Sequence, residues 1–112
     1  MKLIIILTLM ASAAWAQTPT AHSATLTWAD TANPSGTTYS VYRAQGLCSG
    51  SPMFSKIAAA VAVKTYVDST VSPGNYCFQA TATYQGMESG PSDTAAAPVP
   101  TFAPGGLSVV VQ

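Results

Sequence analysis

Ser72-Pro73-Gly74-Asn75-Tyr76-Cys77-Phe78-Gln79-Ala80-Thr81-Ala82-Thr83-Tyr84-Gln85-Gly86 carries the clearest structural pattern in the chain. Pro-Gly opens it and Gln-Gly closes it, and both pairs are turn formers. Between them Tyr76, Phe78, Ala80, Ala82 and Tyr84 alternate with Cys77, Gln79, Thr81 and Thr83. Side chains on a strand point to opposite faces at period two, so one face is apolar or aromatic and the other mostly polar. This is a long, half-buried strand of an antiparallel sheet; a helix would scatter the same residues around its circumference.

Outward from that strand, the same rhythm recurs. Ala24, Leu26 and Trp28 alternate with Thr25 and Thr27, and Trp28 is the largest core contributor after the leader described below. Asn33-Pro34-Ser35-Gly36 is a turn, after which Thr37–Arg43 places Tyr39 and Val41 inward. Residues 45–52 read as a loop carrying Cys48. Phe54–Ala58 and Lys64–Val67 read as two short strands joined by an alanine-rich loop, and Asp93–Val99 as a closing edge strand ended by Pro98 and Pro100. Six to seven short antiparallel strands with turns about every ten residues describe an all-β sandwich. Its inward set is Leu26, Trp28, Tyr39, Val41, Ile57, Tyr66, Val71, Tyr76, Phe78, Ala80 and Ala82. At roughly 1.5–3 kcal/mol per large side chain buried, such a core offsets chain entropy only narrowly.

The ends carry other signals. Lys2, the apolar run Leu3–Met10 (interrupted by Thr8) and Ala14-Trp15-Ala16 form the three-part layout of a secretory signal peptide over residues 1–16, with cleavage before Gln17. The alternative, a membrane anchor, needs about 20 apolar residues, more than this run supplies. No cysteine sits directly after the cleavage point, where Gln17 stands, which argues against a lipid anchor. The expected organisation is then a polar segment at 17–22, one domain at 23–99, and a linker with a strand-like tail at 100–112. The mature chain is about 95 residues, enough for one small domain, and has no membrane span.

Charged residues make up 7% of the chain. After residue 16, Arg43, Lys56 and Lys64 face Asp30, Asp68, Glu88 and Asp93. There is no basic patch for phosphates, so nucleic acid is not an expected partner. His22 is the single histidine, so one chain cannot build a histidine-rich metal site. No nucleophile elbow or phosphate-cradling glycine loop occurs, and Asn33 is followed by Pro34, which blocks a glycosylation sequon. No catalytic residue, cofactor or metal is expected. Cys48 and Cys77 are an even pair in a chain bound for an oxidising compartment, extracellular or periplasmic, which points to a disulfide; two free thiols are the other reading.

Taken together, Thr25-Leu26-Thr27-Trp28, Tyr39-Ser40-Val41-Tyr42-Arg43, Thr65-Tyr66-Val67-Asp68-Ser69-Thr70-Val71, Pro73-Gly74-Asn75-Tyr76 and Glu88-Ser89-Gly90-Pro91-Ser92 resemble a fibronectin type III domain of the kind found in secreted bacterial proteins. The resemblance covers about residues 22–99 and implies the immunoglobulin-like form of the β-sandwich. It implies strands B, C, C′, E, F and G, with Trp28 as the core tryptophan of B and Tyr76 as the tyrosine whose hydroxyl pins the E–F corner. The family has a full first strand, whereas here few residues separate Gln17 from Trp28, so the first strand is expected to be short or missing. The corner is one residue tighter than the family pattern. If Tyr76 faces inward, Cys77 faces outward, within reach of a cysteine from the C–C′ loop.

Two functional classes follow from this. One is a secreted protein-interaction or spacer module. The other is a carbohydrate-binding module accessory to an extracellular polysaccharide-active protein, in which Tyr42, Phe54 and Tyr84 would stack on sugar rings; ordinary packing at the core rim competes with that role. The partner, protein or polysaccharide, is unnamed by the residues. Leu107-Ser108-Val109-Val110-Val111-Gln112 resembles the first strand of a following repeat. The preferred reading is a tail not packed on the sandwich; folding back on an open edge and pairing with another copy are the alternatives.

Overall fold

The computed structural model describes residues 3–11, 22–102 and 110. Among them lie eight strands in two antiparallel sheets: β1 (Ile4–Ala11), β2 (His22–Ala29), β3 (Thr38–Gln45), β4 (Ser55–Val61), β5 (Thr65–Asp68), β6 (Gly74–Tyr84), β7 (Met87–Glu88) and β8 (Ala95–Val99). A single 3-10 turn, Cys48–Gly50, interrupts the β3–β4 connection. The first sheet has the order β1-β2-β5. The second runs β4-β3-β6, with β7 and β8 both paired to the far side of β6.

β6 is the long strand that its alternation requires. Its neighbours on one side run from Thr38 opposite Thr83 to Gln45 opposite Tyr76. Tyr76, Phe78, Ala80 and Ala82 enter the core beside Tyr39 and Val41, and meet Ala24, Leu26 and Trp28 from the first sheet. Trp28 and Tyr39 cross edge to face, centroids 5.3 Å apart, a favoured geometry for aromatic pairs. Ile57 and Tyr66 pack against this core and are partly buried. Beyond Tyr84, Gln85 and Gly86 both have positive φ (51° and 78°). That is the two-residue turn whose twist matches a hairpin, and glycine supplies its second position without strain.

Three findings differ from the sequence reading. First, the alanine-rich stretch is a strand, not a loop: β4 continues to Val61. Its register with β3 shifts twice, between Tyr39 and Val41 and again between Val41 and Tyr42. Each shift adds a residue to β4, so its side chains never alternate cleanly. Second, Cys77 lies on the outward face of β6 as expected, but it is fully buried rather than exposed there. The bridge to Cys48 covers it. Third, the seven strands from residue 22 onward are joined by β1, which lies within the stretch read as a leader. β1 pairs with β2 from Ile4–Ala29 to Ala11–His22, and Leu3 and Ile5 are buried in the core. Apolar β-branched residues satisfy a strand as readily as a leader, so periodicity alone did not disclose this place. The leader's cleavage site and the linker at 103–106 lie outside the described residues; of the tail, Val110 is described and is exposed.

Candidate functional site

The polar side chains sort into three clusters. At the end of β2, Asp30 is 5% exposed, and its Oδ1 accepts the backbone N–H groups of Ala32 and Asn33 at 3.2 Å each. Its Oδ2 accepts the Tyr39 hydroxyl at 2.9 Å. Burial pushes the Asp30 carboxyl up, but the hydrogen bonds from Asn33, Tyr39 and Ala32 outweigh it and hold the group below 3.8. For the same reasons, burial first and then the Asp30 carboxylate, the Tyr39 phenol is pushed up to about 12.

The second cluster ties the two sheets together. Arg43, on β3, sends Nη1 to Asp68 Oδ2 of β5 at 2.8 Å and to Thr70 Oγ1 at 2.7 Å. Its guanidinium also lies 5.3 Å from the centre of the Tyr76 ring, a cation–π distance. Asp68 Oδ1 accepts the N–H and hydroxyl of Thr70. Above this, the Tyr76 hydroxyl accepts the Ser72 N–H at 3.2 Å and lies 3.2 Å from the Ser72 hydroxyl. The corner expected of Tyr76 is therefore formed despite its tightness, and the Ser72 hydrogen bonds draw that phenol below 10.0.

The third cluster occupies the outer face of the larger sheet. Tyr42 pairs with Gln79 and Ser40 with Thr81 across β3 and β6. Glu88 of β7 accepts hydroxyls from both Thr81 and Tyr42 on Oε2. These two bonds hold its carboxyl below 4.5 against a small desolvation, with help from Lys56. The Lys56 ammonium sits over the Tyr42 ring at 5.6 Å.

The three aromatics singled out for ligand contact are not brought together. Tyr42 is half-buried on the outer face, capped by Lys56. Tyr84 is 36% exposed. It falls on the core-facing side of the β6 alternation, where its ring lies beside the Gly36 turn. Phe54 is half-buried just before β4. His22 is buried and stacked on Phe102, centroids 4.4 Å apart, and its ring nitrogens have no hydrogen-bond partner among the described residues. No group of three or more His, Cys, Asp or Glu able to hold a metal occurs among the described residues. The disulfide joins Cys48 to Cys77, with 5.2 Å between their Cα atoms.

Sequence reasoning missed all three clusters. Asp30 followed by Asn33-Pro34 carried a local signal, since an aspartate ahead of such a turn caps its backbone. Arg43 and Asp68 stand 25 residues apart, and nothing local links them.

Two sheets closed over Trp28 and Phe78, with the Tyr76 corner in place, define an immunoglobulin-like sandwich module. No family model matches the chain, and no curated protein matches it significantly. Among solved structures it is similar to a Fn3-like protein from Clostridium thermocellum, at 26% identity and a TM-score of 0.58, over 72% of this chain and 80% of that one. The chain carries a fibronectin type III-like domain.

Proposed function

We propose that the chain is an exported, non-catalytic fibronectin type III module that serves as a protein-interaction or spacer domain. The observation that carries this reading is how the acids are used. Asp30 is committed to Tyr39 and its turn, Asp68 to Arg43 and Thr70, and Glu88 to Tyr42 and Thr81. Each stiffens the sandwich, and none is gathered with a base or nucleophile in a cleft. Export is supported by the leader pattern of residues 1–16 and by the disulfide.

Sugar binding is the weaker reading. Stacking needs a row of bare rings, whereas Tyr42 is covered by Lys56 and Tyr84 lies toward the other face of the sheet. The test is retention of the processed chain on a panel of insoluble polysaccharides and on a glycan array, beside a Tyr42→Ala variant. The expected result is no retention of either. Retention that Tyr42→Ala abolishes would overturn the interaction-or-spacer reading in favour of a carbohydrate module.

A further inference from the structure

The place beside β2 is asked to hold a segment that export would remove. β1 pairs with β2 along its full length, and Leu3 and Ile5 help close the core over Ala24, Leu26 and Trp28. Residues 4–11 are also the apolar heart of the leader, and cleavage before Gln17 takes them away. What remains of the first sheet is β2 and the four-residue β5. Two strands alone make a marginal sheet. The β1-facing N–H and C=O groups of β2 lose their partners, and the open apolar edge invites pairing.

We propose that Leu107–Gln112 of the same chain occupies this vacated place after the leader is removed, lying parallel to β2. The inference rests on the leader reading given under the proposed function. The route is set by Phe102, whose ring stacks on His22, the first residue of β2. The chain leaving β8 is thus delivered to the start of β2, next to the position Ala11 holds. From there residues 103–106 span up to roughly 13 Å when extended, ample for a step of about 4.8 Å to a neighbouring strand position.

The residue pattern fits the place. Leu107, Val109 and Val111 alternate with Ser108, Val110 and Gln112. With Leu107 beside Ala24, Val109 falls beside Leu26 and Val111 beside Trp28, which restores an apolar cover at each level. Val110, the described residue of this segment, is 80% exposed. A short tether gives the same-chain segment a millimolar-scale effective concentration, so it outcompetes a second copy.

The test uses the full chain, exported with its leader and recovered after processing. Intact mass reads the cleavage, light scattering reads the oligomeric state, and hydrogen exchange follows residues 22–29. A Val109→Pro variant removes an amide hydrogen the new ladder needs. The expected result is a monomer lacking residues 1–16, with protected β2 amides. In the variant their exchange accelerates at least tenfold and Trp28 emission shifts to the red. If that variant unfolds altogether, adding a synthetic peptide of residues 103–112 restores protection. Three results would overturn the proposal: equal exchange in both processed chains, protection that appears only with a dimer, or no rescue by the peptide. A folded product still carrying residues 1–16 would instead overturn the leader reading and, with it, the exchange of strands.

Discussion

Arg43 serves three neighbours at once, and two of them belong to the opposite sheet or its exit: Asp68 and Thr70. Asp68 is 3% exposed and the guanidinium side 27%. A fully buried pair costs about 3–5 kcal/mol to break; solvent at Arg43 discounts that, so Asp68→Asn is expected to destabilise by about 1–2 kcal/mol in urea unfolding. Acid should act through the same groups. Burial raises the Asp68 carboxyl, but Thr70 and Arg43 bring it below 3.8, and Asp30 is also held below that value. In the unfolded chain both bind protons first. Their contribution is therefore complete above about pH 5 and fades as pH falls below 3.8 through the folded values. The urea midpoint should follow that course, more shallowly in Asp68→Asn. Tyr39 gives the opposite sign. Its folded value of about 12 lies above 10.0, so its contribution is complete below pH 10 and is lost between about 10 and 12. Ultraviolet titration should show one tyrosine ionising near pH 12 that Tyr39→Phe removes.

On the scale of elements, β6 shows how side chains complete a ladder. β8 pairs with residues 74–78 and β7 with Thr83 and Tyr84. Between them Ser92 Oγ accepts the Ala80 N–H and Ser89 Oγ the Ala82 N–H, each at 2.9 Å. The backbone N–H groups of the same serines return to the carbonyls of Ala80 and Ala82. Replacing either serine by alanine strands a donor next to the core, at a cost of about 1–3 kcal/mol. Faster exchange of the Ala80 amide in Ser92→Ala, or of the Ala82 amide in Ser89→Ala, is the expected sign. Legibility in the sequence follows the same logic. β2, β3 and β6 were readable because unbroken strands alternate, and Trp28, Tyr39 and Phe78 mark their inner faces. Only the first half of β4 was, because two added residues scramble the alternation and Ala60 adopts φ 56° in the alanine-rich half. β1 was not, because one apolar run satisfies two codes. Arg43 and Asp68 meet only through the closing of the sandwich, which no local pattern encodes.

For the whole molecule the disulfide is the largest single contribution that can be switched off. Cys48 and Cys77 are separated by 29 residues, for which chain entropy gives about 3.5 kcal/mol. A domain this small has a net stability of only about 5–10 kcal/mol. Cys48→Ser with Cys77→Ser is expected to lower stability by about that amount while keeping the sandwich, as read by urea unfolding with tyrosine and tryptophan signals.

The same bridge sets how far the molecule yields under tension. If a spacer of this kind is pulled by its ends, the loop between the two sulfurs does not lengthen, and roughly 100 Å of contour stays locked behind it. An oxidised module is a short tether with a hard stop. Chemical reduction would turn it into a longer one, and single-molecule pulling with and without reductant should differ by that length.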